Sequence, residues 1–234
     1  MSEQNHDELI SVSERDGVAV VVMDDGKANA LSYTMLEALD AALDRADGAD
    51  ALVLAGRPGK FCAGFDLSVV QQGPAEASAL MSKGAQIALR LHEYNKPRVF
   101  AVTGHALAMG AVLLACADVR VGTPGEFKIG FNEVAIGLPL PEFAIELHRG
   151  RIDPRRFHSA VALAEVHDPA GAVEVGFLDR LADGDVIEDA VATAVELAGR
   201  LDANALSITR HLLDRDLTTR LRGLTEGWAD GAKM

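Results

Sequence analysis

The chain has 234 residues, 22 Lys and Arg against 35 Asp and Glu, and a formal charge of −13. With 49% hydrophobic and 24% charged residues it is a folding chain and not a disordered one. The acidic balance works against phosphate backbones, so no nucleic-acid partner is expected. Cys62 and Cys116 make no disulfide framework, and no Cys/His cluster has zinc spacing, so no metal site is expected. Residues 1–8 are polar and acidic, unlike a signal peptide, and a cytoplasmic location is the expectation.

Residues 9–12 and 18–23 read as strands joined by a hairpin turn at Arg15-Asp16-Gly17. Residues 24–29 form a polar loop. Ser32 reads as the N-cap of a helix whose apolar positions Met35, Leu36, Leu39, Ala42 and Leu43 keep the 3.6-residue period. Residues 51–55 read as a buried strand, 56–59 as a loop, and 75–94 as a helix stopped by Pro97. Residues 99–117 carry no formal charge over 19 positions, a length that raises the question of a membrane span. Thr103-Gly104-His105 breaks that run as a turn, and no basic cluster flanks it. It therefore reads as a strand over 99–102, a turn, and an Ala-rich helix inside a large core. Residues 118–121 read as a further strand. This strand–helix alternation predicts an α/β fold with crossover connections. Helices predicted at 142–148, 154–163, 169–175, 187–201 and 203–221 make residues 141–234 a helical region after an α/β part at 1–140.

Three segments carry candidate chemistry. Gly59-Lys60-Phe61-Cys62-Ala63-Gly64-Phe65-Asp66-Leu67 is a strand end, a small-residue turn and a helix start, and free N–H groups in such a turn can hold an oxyanion. Thr103-Gly104-His105-Ala106-Leu107-Ala108-Met109-Gly110-Ala111 leads into the N-terminus of a buried helix, whose first N–H groups have no helical acceptor. Ile129-Gly130-Phe131-Asn132-Glu133-Val134-Ala135-Ile136-Gly137-Leu138-Pro139 places one glutamate in an apolar stretch, where burial favours a raised pKa and a base near neutral pH. Taken singly, each has a plain alternative: a tight turn, small-residue packing, and a solvent-facing loop glutamate.

In this order and spacing the three segments resemble the crotonase superfamily, the enoyl-CoA hydratase/isomerase family, over nearly the whole chain. The resemblance implies a spiral of ββα units with two roughly perpendicular sheets and a helical C-terminal region used in trimerisation. It also implies an acyl-CoA substrate, with coenzyme A as part of that substrate and no separate cofactor, no membrane partner, and a homotrimer or dimer of trimers. By position it makes the Phe65 and Met109 N–H groups the oxyanion hole and Glu133 the catalytic carboxylate. Lys27, Ala28, Phe61, Ala63, Asp66 and Leu67 would lie along the CoA and substrate, with a helix N-cap as the other reading of Asp66.

The chain departs from that family in two places. Where the second loop is usually triple glycine it reads Ala108-Met109-Gly110, and Met109 is expected to line or narrow the acyl pocket. Val112 stands where hydratases of the family carry a second glutamate. One carboxylate suffices to shift a double bond from position 3 to position 2, whereas hydration shares its work between two. The pattern therefore points to an enoyl-CoA isomerase, with fatty-acid β-oxidation as the setting. A hydratase using Glu142 or His105 as the second group, and a catalytically silent acyl-CoA-binding protein, are the alternatives. The acidic runs at 40–50 and 179–189 read as solvated faces. Arg149, Arg151, Arg155 and Arg156 form a basic cluster that would meet CoA phosphates or lie at a surface or subunit interface, and Trp228 would pack in an interface.

Overall fold

The computed structural model describes residues 9–229, with side chains to Glu226. Residues 1–8 and the Trp228 side chain lie outside what it describes. Strands β1 (Ile10–Arg15) and β2 (Val18–Met23) pair antiparallel around Asp16 and Gly17, both at positive φ as a two-residue hairpin turn requires. Helix α1 (Tyr33–Ala46) starts at Ser32, whose side chain accepts from Met35 N at 3.2 Å.

From there the chain repeats one unit. Strand β3 (Ala51–Gly56) is followed within three residues by β4 (Gly59–Cys62), then by the short α2 (Leu67–Val70) and the long α3 (Pro74–Glu93). Strand β5 (Arg98–Val102) passes directly into β6 (Gly104–Leu107) and helix α4 (Met109–Leu114). Strand β7 (Val119–Gly122) leads to β8 (Ile129–Gly130), a 3-10 turn (Val134–Ile136) and α5 (Glu142–His148). The first strand of each unit joins one sheet and the second joins another. The large sheet has the order β1-β2-β3-β5-β7-β9 and the small one β4-β6-β8.

Residues 104–107, where a turn at 103–105 and the start of a helix were predicted, are therefore the middle strand of the small sheet. Glycine and histidine there signal a turn by composition, but the glycine serves close approach. A Cβ on Gly104 would fall 2.0 Å from the Gly59 carbonyl carbon of the paired strand.

The C-terminal part adds α6 (Phe157–Ala162), α7 (Pro169–Val175), β9 (Arg180–Leu181), α8 (Val186–Arg200) and α9 (Ala203–Ala229). Strand β9, unseen in the helical pattern, pairs parallel with β7. Helix α8 covers one face of the large sheet, with Val186, Ala190, Val191 and Ala194 against Val20, Val53, Val99 and Val121. The opposite face carries Val21, Leu52, Leu54 and Phe100 into the main core with α1, α3 and α4. Burial on both faces is why β3 and β5 read as unbroken apolar runs. No described helix is long and apolar enough to cross a membrane, and the 99–117 run is core.

Several surface expectations change. Asp40 and Asp44 both pair with Arg90 at 2.5 Å, Asp179 pairs with Arg120 at 2.7 Å, and Asp189 pairs with Arg180, so the acidic runs hold ion pairs and are not merely solvated. The basic cluster is dispersed. Arg149 pairs with Glu146 and lies 5.3 Å from the Phe157 ring centroid, and Arg155 pairs with Asp153. Arg151 is desolvated beside Arg120 and Arg98, which lowers its pKa. Cys62 and Cys116 are free, buried thiols, and burial pushes both up to about 12.

Candidate active site

The three candidate segments occupy one structural position, repeated. Each follows the small-sheet strand of its unit: Ala63-Gly64-Phe65 after β4, Ala108-Met109 after β6, and Asn132-Glu133 after β8. Parallel pairing of those strands delivers the three exits to the same side. Ala63, Phe65, Ala108, Met109, Asn132 and Glu133 all line a single cavity of about 200 Å³.

Hydrogen bonds lock the three exits together. Leu31 N donates to Gly64 O at 2.8 Å and Asp66 N donates to Leu31 O at 3.1 Å. In such a parallel bridge the intervening Phe65 N–H faces away from Leu31. Met109 is the first residue of α4, so its N–H has no helical acceptor. Among the described residues neither the Phe65 N–H nor the Met109 N–H finds a backbone acceptor, and both residues border the cavity. Gly64 holds φ +99°, and a Cβ there would lie 2.8 Å from Ala108 Cβ and 3.6 Å from Met109 N, so the two donor turns touch. Ala108 N donates to Gly130 O at 3.2 Å, tying the second donor turn to the strand that leads to Glu133.

Glu133 caps the 3-10 turn. Its carbonyl accepts from Ile136 N at 3.0 Å and Leu138 N at 2.9 Å. Its Oε2 is out of solvent and has no hydrogen-bond partner. Burial raises its pKa above the ordinary 4.5, against the opposing pull of its own and the Asn132 backbone N–H groups. It is the sole ionisable side chain among the cavity-lining residues. Asn132, not singled out from the sequence as a site residue, lines the cavity beside it with Oδ1 buried and unpartnered.

The remaining lining is apolar. Ala77, Met81 and Ala85 present one stripe of α3, four residues apart, a period the sequence displays. Val112, at 3% exposure, also lines the cavity, with Phe143 and Ala144 of α5. Met109 lines the cavity as expected, and its Cε stands 3.7 Å from where a Gly84 Cβ would be. The same Cβ would meet the Phe65 ring at 2.5 Å, so Gly84 makes room for both donor residues' side chains.

Of the other sequence-derived site residues, Leu67 lines the cavity and is 57% exposed at its edge. Asp66 caps α2, accepting from Ser68 N at 2.9 Å. Phe61 is fully buried against Phe100 and does not line the cavity, so the expected contact of its side chain with the substrate is not seen. Lys27 and Ala28 lie in a loop bound to the first donor turn, where Ala63 N donates to Ala28 O at 3.1 Å and Arg57 donates to Lys27 O at 2.9 Å. Buried Asn29 fastens that loop by donating to Met23 O, Lys60 O and Phe61 O at 2.9–3.2 Å. Glu142 does not line the cavity and pairs with Arg220 at 2.6 Å. His105 also stands outside it, its Nδ1 accepting from Lys128 N at 2.9 Å and its ring edge-on to Phe127. No group of three or more potential metal ligands occurs among the described residues.

The cavity thus brings together two residues whose N–H groups have no backbone acceptor, one partly buried carboxylate and an otherwise apolar lining. The Enoyl-CoA hydratase/isomerase family model matches residues 13–226, and the chain belongs to that family. It is 25% identical to the human mitochondrial enoyl-CoA delta isomerase 1 over 219 residues, covering 91% of this chain and 72% of the relative. It is 32% identical to a putative enoyl-CoA hydratase of Thermus thermophilus over 209 residues, 86% of this chain and 81% of the relative. The apo structure of an enoyl-CoA isomerase from Mycobacterium tuberculosis superposes with a TM-score of 0.89 at 38% identity, covering 95% of this chain and 98% of that one. The fold is the crotonase fold, and the chain is an enzyme of the hydratase/isomerase kind.

Proposed function

We propose that this chain is an enoyl-CoA isomerase that moves the double bond of a 3-enoyl-CoA to the 2-position. The observation that carries this reading is Glu133, the only ionisable group lining the cavity, with its Oε2 unpartnered, in the same cavity that Phe65 and Met109 line. Its carboxylate takes a proton from C2. The electron pair moves onto the thioester oxygen as a dienolate, stabilised by the two N–H groups. The Glu133 carboxylic acid then returns the proton to C4, leaving the double bond between C2 and C3. The raised pKa suits a group that must both accept and give back a proton. The thioester lies along Ala63 and Phe65, and the CoA moiety leaves past Lys27, Ala28, Asp66 and Leu67. Coenzyme A is carried by the substrate, and no separate cofactor is called for.

Val112 and the outward Glu142 count against the hydratase reading, since neither puts a second carboxylate in the cavity. We read residues 1–140 as the acyl-CoA-binding spiral and 141–234 as the oligomerisation region of a homotrimer or dimer of trimers. Exposed Ile208, Leu212 and Leu213 on α9 support that reading. A cytoplasmic setting in fatty-acid β-oxidation completes the proposal.

The test is a paired assay on the purified protein with 3-hexenoyl-CoA and crotonyl-CoA, each followed by the absorbance of the conjugated thioester. Rising absorbance with the first and a flat trace with the second is the expected result. Loss of absorbance with crotonyl-CoA would mean hydration and a second acid/base group. Two flat traces together with tight binding would identify a silent acyl-CoA-binding protein.

A further inference from the structure

His148, the last residue of α5, is fully buried and takes no direct part in the cavity. Its Nδ1 lies 3.0 Å from Ala144 O and its Nε2 lies 3.1 Å from Ala111 O. Ala144 is itself a cavity wall residue, and Ala111 sits in α4 between Met109 and Val112, both of which line the cavity. The imidazole is also edge-on to Phe131, with centroids 4.8 Å apart, two residues before Glu133. One side chain thus touches α4, which presents the Met109 N–H, the segment that presents Glu133, and the α5 wall.

Both ring nitrogens face carbonyl oxygens, but a neutral imidazole has one N–H. Burial pushes the His148 pKa down to about 4, so the ring is neutral at physiological pH. The two acceptors differ in need. In a regular helix Ala144 O is served by the backbone N–H of His148 itself, four residues on. Ala111 O would be served by Ala115 N, but α4 tightens at its end and Ala115 N bonds to Val112 O at 3.3 Å instead. Ala111 O is the carbonyl left without its i+4 helical donor, and leaving a buried carbonyl unsatisfied is destabilising. The proton therefore belongs on Nε2.

We propose that His148 is a positioning residue for the reaction, its Nε2–H holding Ala111 O so that α4 aims the Met109 N–H at the thioester oxygen opposite Glu133. This rests on the isomerase reading of the cavity. Without the clip α4 keeps its packing and the Ala108 tether but loses the contact that fixes its C-terminal half. A donor displaced by about 1 Å can cost up to ~100-fold in rate, while ground-state binding, spread over the apolar lining, stays nearly constant.

The test compares three variants with the unsubstituted protein. Phe at 148 keeps the ring and removes both polar contacts. Gln reaches toward the Nε2 position, and Asn toward the Nδ1 position. For H148F we expect kcat on 3-hexenoyl-CoA to fall by ~10- to 100-fold with KM little changed. The enolate absorption band of a bound 3-oxoacyl-CoA should be lost with it. H148Q should recover much of kcat and of the band, and H148N should not. A fully active H148F, or Asn restoring as well as Gln, overturns the proposal. So does a KM rising in step with the loss of kcat, which would mark a general packing defect. If H148F fails to accumulate as folded protein, the Gln and Asn pair decides alone. An unsubstituted protein with neither turnover nor enolate band overturns the isomerase reading and this inference together. A normal unsubstituted protein with an unaffected H148F overturns this inference only.

Discussion

Glu133 and Asp118 are both largely desolvated carboxylates, and the fold treats them in opposite ways. Asp118 sits between two guanidinium groups, with Arg98 Nη2 at 3.0 Å and Arg210 Nη2 at 2.8 Å, and it also accepts from Arg98 N at 2.8 Å. Burial alone would raise its pKa, but the two arginines outweigh burial and hold it below the ordinary 3.8. Glu133 has burial without a cation, and its pKa rises. Arg98 carries further bonds to Leu91 O and His92 O, and Arg210 to Tyr94 O, so the Asp118 cluster pins α3, β5, β7 and α9 together. The compensated carboxylate is architecture. The uncompensated one faces a cavity and is available for proton transfer.

Removing each carboxylate should separate the two roles. Glu133→Gln keeps the shape and loses the base, and kcat should fall by ~10²- to 10⁴-fold with acyl-CoA affinity retained. Single-turnover rates beside equilibrium binding of a saturated acyl-CoA would show it, and an unchanged kcat would end the proposed mechanism. Asp118→Asn should do the reverse. Leaving Arg98 buried without its counter-charge should cost about 3–5 kcal/mol of stability, read as a lower urea midpoint, while the molecules that remain folded keep their turnover.

Acid titration sharpens the same contrast. The Glu133 pKa lies above 4.5, so activity should fall as pH drops through that raised value while the protein is still folded. The Asp118 pKa is depressed, so its stabilisation is present above the unfolded value of 3.8 and is lost only as pH falls through the lower folded value. Loss of turnover should therefore precede loss of the circular dichroism signal on acidification. Coincident transitions would mean that Glu133 does not govern the rate. Because the fold disfavours the charged form of Glu133, Glu133→Gln should also melt no lower than the parent at neutral pH.

How much of this was readable from the sequence depended on the range of the interaction. The hairpin at Asp16-Gly17, the Ser32 cap, the Asp66 cap and the apolar setting of Glu133 are local and appear in the residue pattern. The small-sheet strand at 104–107 was missed because its glycine and histidine look like a turn, whereas close packing on Gly59 is what demands the glycine. The ion-pair partners of the acidic runs were missed because Arg90 stands 50 residues from Asp40, and Arg120 stands 59 from Asp179. His148 gave no signal beyond a basic residue in a helix's last turn. Its two carbonyl partners come from the folded arrangement of α4 and α5.

The smallest effect concerns the strain stored in the turn between β6 and α4. Ala108 adopts φ 52° and ψ −125°, a backbone region that favours glycine, and it does so because its N–H must reach Gly130 O while Met109 begins the helix. Holding a side chain there costs on the order of 1–3 kcal/mol. Ala108→Gly removes that strain but adds about 0.4–1 kcal/mol of unfolded-state entropy. The net expectation is a stabilisation of about 1 kcal/mol, seen as a higher urea midpoint with the slope unchanged. A lower midpoint would show that the Ala108 methyl, packed against Gly64, contributes more to holding the two donor turns together than its strained backbone costs.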